Sequence, residues 1–179
     1  MTTDVREFTA LTMERVRART LEMVGGLTEA QLAWRAGPEA NTIGFLLFHV
    51  FRAEDRYAHR WLTAKGEVWF ALGHAERYPL PVQIPDRDSP LNSGNSWTPE
   101  QVGAFKAPPL TELLAYGAAV RKSSLAIVRG FDLKRLDERP NAKQPQFSML
   151  TYFQNCFGHE TEHQAQIDFI LGLKKAQKR

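Results

Sequence analysis

Residues 148–173 read SMLTYFQNCFGHETEHQAQIDFILGL, and within them His159 and His163 stand four apart. On an α-helix of about 3.6 residues per turn, positions i and i+4 share a face with Cβ atoms about 5–6 Å apart. Two imidazoles so placed can grip one metal ion. At about 100° per residue the same face carries Tyr152, Asn155, Cys156, Gln166, Ile167 and Ile170, a mixture of core and polar residues that predicts an inward-facing stripe. Buried polar groups need partners, because each one left without a hydrogen bond costs about 1–3 kcal/mol. A metal ion would satisfy them, and so would a ring of carboxylates. The choice turns on whether a third ligand lies elsewhere in the chain.

The pair also spells His159-Glu160-Thr161-Glu162-His163, the H-E-x-x-H pattern in which two histidines hold zinc and the glutamate acts as base. Proteases of that kind take a third ligand from downstream. Here only 16 residues follow His163, no Gly or His falls at the extended spacing, and Asp168 is the sole later acid. The third ligand must therefore come from upstream. Glu160, next to one ligand, points about 100° away from the pair and is not the expected base.

The 179 residues suffice for one domain spanning the chain, 1–179, with 43% hydrophobic and 24% charged residues. The opening MTTDVREF has no apolar run of a secretory peptide. Ile43–Phe51 is the longest apolar-rich stretch, far short of the roughly 20 residues that cross a bilayer. These features predict a soluble, cytoplasmic protein with no membrane partner. A single cysteine, Cys156, agrees with a reducing compartment; beside the histidine pair it is either a soft ligand or reactive thiol, or a small buried apolar residue. The net charge of +3 owes much to Lys174–Arg179, which holds four bases and reads as a solvated helix end, not a nucleic-acid surface.

Taken in order, Val5, Phe8, Leu11, Thr12, Val16, Leu21 and Val24 mark a first amphipathic helix that stops at Gly25-Gly26. Thr28 and Gln31 form a capping box for a short turn ending near Trp34. Asn41 or Thr42 caps a second helix through Ile43, Leu46, Leu47, Val50, Glu54, Tyr57 and Trp61. His49 falls where Phe45, Phe48 and Phe51 make this helix apolar nearly all round, so it is buried whichever way the helix turns. Glu54 sits in the stripe, where a carboxylate needs a partner: Trp34, Arg35 or another donor, or a ligand imidazole. His59 and His74 read as surface residues.

Residues 64–109 hold seven of the ten prolines and one short helix near Thr98. A connection this long crosses a bundle end or covers a pocket. Its aromatics Trp69, Phe70, Tyr78 and Trp97 either line that pocket or merely pin the crossover down. Thr111 is the expected cap of a third helix through Leu113, Tyr116, Val120 and Val128, which ends at Gly130, and Ser148 opens the fourth. Four long helices with one long crossover between the second and third predict an all-α four-helix bundle.

Bundles build metal sites from facing helices. His49 is the other histidine within a helix and near the core, and His49, His159 and His163 together would make a neutral three-imidazole set with an open position, the pattern of catalytic zinc. The tract Asn41–His49 with Glu54-Asp55, the segment Leu32–Arg35, and His159-Glu160 to His163 with Gln166-Ile167 resemble the DinB superfamily, including its YfiT-like members, over essentially the whole chain. The resemblance implies a divalent metal, nickel or zinc, on His49, His159 and His163. It also implies a thiol-dependent S-transferase or isomerase with a low-molecular-weight thiol cosubstrate, acting on a small molecule, and a homodimer. Where many members carry a further histidine and an Arg-Gly-Gln run, this chain has Glu162 and Gln164-Ala165-Gln166. A metal-stabilised bundle without catalysis, related to stress, and a metal-dependent hydrolase are the alternatives for the same site. Glu54, Tyr152, Asn155 and Gln166 are the candidates for its surroundings; Asn155 and Gln166, about a turn from the ligands, are placed to orient substrate.

Overall fold

The structure, a computed structural model, describes residues 4–177; Met1–Thr3 and Lys178-Arg179, the first residues of the chain and the last two of its basic end, lie outside the described residues. Eight α-helices follow one another: α1 (Val5–Val24), α2 (Glu29–Leu32), α3 (Ile43–Asp55), α4 (Val68–Ala71), α5 (His74–Arg77), α6 (Pro99–Ala104), α7 (Leu110–Arg129) and α8 (Met149–Ala176). The fold is all-α, and no helix among the described residues is long and apolar enough to cross a membrane.

The helix starts follow from side chains that satisfy free backbone N–H groups. Asp4 accepts from Arg6 N, Thr42 from Phe45 N, and Thr28, Thr98 and Ser148 form complete capping boxes. α7 begins before the expected Thr111. Pro109 occupies its cap position, and Glu29 Oε1 accepts the Leu110 N–H at 3.0 Å, so a carboxylate from α2 does the capping from a distance.

The four long helices pack in a ring: α1 against α8 and α7, α3 against the same two. Cross-helix bonds give the directions. Arg17 meets Gly117, Arg121 meets Met13, and Arg129 meets Glu7, so α1 and α7 are antiparallel. Glu54 meets Arg121 and His59 meets Ser123 further along both chains, so α3 and α7 are parallel. His49 meets His159 while Trp61 stacks on Tyr152, so α3 and α8 are antiparallel. Two parallel helices of about 20 residues need a return path of about 30 Å. This requirement explains the long crossover between α3 and α7.

All 13 residues of α3 are buried, because it has α7, α8 and the crossover around it. Its last two turns, Arg56–Leu62, widen into a π-helix, whose register differs from the about 3.6-residue period that placed His59 on a polar side. His59 is in fact buried, as is His74; both expectations of surface histidines fail. His59 lies between Asp55 and Ser123, and His74 packs against Trp69 and Tyr116.

The first helix also turns otherwise than its apolar pattern predicts. Val5, Phe8, Leu11 and Leu21 are exposed, while Thr9, Arg17 and Thr20 share the buried face with Ala10, Met13, Val16 and Val24. The reason lies in α8 and α3, whose buried carboxylates need the Arg17 guanidinium. Of the crossover aromatics, Trp69 and Trp97 pack on Phe48, and Trp69 also on Tyr78. They pin the crossover to the bundle.

Candidate metal centre

His49, His159 and His163 converge between α3 and α8. Their ligand atoms all lie within 4.8 Å of one another. His159 Nε2 is 3.1 Å from His49 Nε2 and 3.2 Å from His163 Nε2. Tetrahedral zinc with Zn–N bonds of about 2.0–2.1 Å separates its ligand nitrogens by about 3.3 Å, so the spacing fits one ion. Three histidines are thus positioned to bind a divalent metal ion.

Partners outside the trio fix which nitrogen faces inward. The Ser93 carbonyl, which can only accept, lies 2.6 Å from His49 Nδ1, so that nitrogen carries the proton and Nε2 keeps its lone pair. Gln166 Oε1 does the same for His163 Nδ1 at 3.2 Å. Burial first, then the neighbouring His163, brings the His49 pKa down to about 4. Burial and the two other imidazoles bring His159 to about 3. Burial also lowers His163, against the opposing bond to Gln166. All three are neutral at physiological pH, the form that ligates metal.

The loop that supplies Ser93 depends on the next residue. Gly94 has φ +88°, and a Cβ there would stand 2.8 Å from the Phe45 ring and 3.5 Å from His49 Nδ1. Only glycine allows the carbonyl to reach the imidazole. Ser93 acts through its backbone, so no side-chain pattern could have revealed it.

His159 forms part of the wall of a cavity of about 400 Å³ between the π segment, α8 and the crossover. Tyr57, Trp61, Tyr152 and Phe147 give it an aromatic side; Asn155 and Arg56 are among its polar groups. Tyr152 and Asn155, expected near the site, thus face this space, whereas Gln166 sits on the exposed side of α8 and reaches only His163. The crossover contributes Asp88, Pro90, Ser93, Asn95 and Ser96, not its aromatics. Cys156 is buried away from the trio, its thiol pushed up by burial.

Glu54 contacts no imidazole. It accepts from Arg17 and Arg121 at 2.7–2.8 Å, and Glu160 accepts from the same two guanidiniums. Burial would raise Glu160, but Arg17, Arg121 and Thr20 hold its carboxyl below the usual range. A second charged cluster links Arg52, Asp55 and Glu67, with Tyr116 donating to Asp55 at 2.8 Å.

An all-α ring with a three-histidine site between α3 and α8 defines the class of protein. The DinB superfamily model matches residues 12–167, and the chain belongs to that superfamily. A crystal structure described as a conserved protein of a locus from Enterococcus faecalis is similar, with TM-score 0.71 and 17% identity over 96% of this chain and 99% of that one; at that identity the likeness is one of fold. Among curated proteins no match was found.

Proposed function

We propose that this chain is a metal-dependent enzyme in which His49, His159 and His163 hold a divalent ion, zinc or nickel, and a low-molecular-weight thiol is transferred to a small electrophile. The observation that carries it is the convergence of three Nε2 atoms, with His159 in the wall of a cavity. Imidazole suits both metals. When bound, such an ion supplies Lewis acidity that favours the deprotonated form of a thiol or water beside it. His49 and His163, held by Ser93 and Gln166, keep their lone pairs aimed at the common point. Asn155 and Tyr152 orient substrate across the cavity, and Tyr57 and Trp61 exclude water from its inner side.

A purely structural ion is the weaker reading. The arginine–glutamate cluster already ties α1, α3, α7 and α8 together, and the trio lies at the rim of that core with His159 and His163 only partly buried.

Elemental analysis of the purified protein beside His49→Ala tests the site: about one divalent ion per chain is expected in the first and almost none in the second. Equal contents would remove the trio. Glutathione, bacillithiol and mycothiol offered with a chlorodinitrobenzene electrophile test the chemistry. Transfer in the loaded protein and its loss after chelation are expected. Hydrolysis of a model ester or amide with no thiol transfer would favour the hydrolase, and no turnover in any metal form the bundle without catalysis.

A further inference from the structure

Among the described residues four arginines are buried, Arg17, Arg52, Arg56 and Arg121. Three of them each meet two carboxylates: Arg17 and Arg121 share Glu54 and Glu160, and Arg52 holds Asp55 and Glu67. Arg56 meets none within 4 Å among the described residues. Its guanidinium donates only to backbone carbonyls, of Ser89, of Asp88 at 2.9 Å and of Arg87 at 3.4 Å. Arg56 is 4% exposed, and it lines the cavity that His159 also lines. The two carboxylates whose charge reaches Arg56 are engaged elsewhere, Glu67 on Arg52 at 2.8 Å and Asp88 on Arg60 at 2.7 Å.

A guanidinium stays charged in a protein, and a buried charge without a counter-ion is costly. Burial and the Arg52 cation both weigh against the charge on Arg56. Carbonyl dipoles offset part of that cost and leave the net charge in place. The imidazoles bring no negative charge and the wall's carboxylate, Asp88, is paired with Arg60, so the charge that Arg56 adds to this wall favours an anion. Aromatic rings also line the cavity, with Tyr152 stacked on Trp61 at 5.5 Å, and a volume of about 400 Å³ admits a small ring-sized molecule.

We infer that the cavity takes a small carboxylate carried on an aromatic or other flat apolar body, and that Arg56 selects it by forming the ion pair it otherwise lacks. The inference rests on the metal-enzyme reading only for treating this ligand as substrate. Three of the five N–H groups of the guanidinium donate to the loop carbonyls, and a carboxylate oxygen accepts from one of the two that remain. The aromatic wall covers the body, and the far end of the molecule lies toward His159.

The test compares benzoate with its neutral isostere benzamide, by titration calorimetry and by the change in tryptophan emission, at pH 7.5. Zinc-loaded and metal-stripped protein are both used, because a carboxylate can also ligate zinc and the stripped form isolates Arg56. Benzoate is expected to bind at least about tenfold more tightly than benzamide in both forms. Arg56→Lys is expected to keep most of that preference and Arg56→Gln to abolish it while leaving benzamide unchanged. Equal affinity of the two probes for the wild-type protein, binding of neither, or an unchanged preference in Arg56→Gln overturns the inference. Should Arg56→Gln fail to fold, the wild-type comparison in the stripped protein still decides it. A protein that takes up no zinc sinks the metal reading alone, since the stripped-form comparison stands by itself.

Discussion

His159 and Glu160 are neighbours in sequence, yet α8 delivers them to two polar clusters of opposite character. Glu160 enters a closed set, two arginines against two glutamates, buried and mutually satisfied. His159 enters an open set, three neutral imidazoles whose Nε2 atoms converge on one point. Buried charge is tolerated when it is balanced and hydrogen-bonded, so the first cluster needs nothing from outside. The second gathers lone pairs that repel until something positive stands between them. The contrast separates what holds the bundle from what the bundle holds.

The sharpest way to break it is to change one cluster and read both. His159→Ala is expected to lower divalent-metal affinity by more than the about 10- to 100-fold that loss of a ligand's outer partner costs, with little change in the urea midpoint of the stripped protein. Metal titration and denaturation on the same sample check it. Glu160→Leu should do the reverse. It leaves two guanidiniums with one carboxylate and costs about 3–5 kcal/mol in urea unfolding, while the folded fraction still binds about one ion.

A gentler change tests whether Ser93 belongs to the open cluster. Gly94→Ala sets a Cβ against Phe45 at a positive φ, and is expected to shift the Ser93 carbonyl off His49. Metal affinity should fall about 10- to 100-fold, and stability by about 1–3 kcal/mol. Unaltered affinity would mean that the carbonyl does not matter to the site.

The smallest effect is in pH. In stripped protein His49 and His159 sit at about 4 and about 3, below the ordinary 6.5. The unfolded chain therefore takes up protons that the folded one refuses, and stability is full above pH 6.5 and falls as the pH drops toward 4. His59 is shifted the other way, burial being outweighed by Asp55. It adds stability at low pH that is lost as the pH rises through its folded value, and so offsets part of the change. Asp55 and Glu160, lowered from 3.8 and 4.5, act mainly below this window. A net loss of about 1 kcal/mol from pH 7 to pH 6 is expected in urea midpoints, and it should persist when zinc is bound, because a ligated imidazole also takes up no proton.

Much of this architecture was readable in the residues. The caps Thr28, Thr42 and Ser148 mark helix starts, and the i, i+4 spacing of His159 and His163 places them on one side of a helix. His49 could be assigned because its helix is apolar nearly all round. What escaped was anything decided between helices. The exposed face of α1 looked like core because apolar residues repeat there, but the need of Glu54 and Glu160 for Arg17 outweighs the burial of Phe8 and Leu11. His59 was misplaced because a π segment departs from the assumed period. Arg56 and Ser93 carry no pattern at all, since one matters for the carboxylate it lacks and the other for its backbone oxygen.

The ring order has a consequence for synthesis. α8 is the last long helix to leave the ribosome, and it brings both Glu160 and two of the three imidazoles. Before it docks, α1, α3 and α7 hold Arg17 and Arg121 against Glu54 alone, one cation too many for a dry interior. A nascent three-helix intermediate is thus kept loose by its own charge, and capture of an ion must wait until α8 has docked.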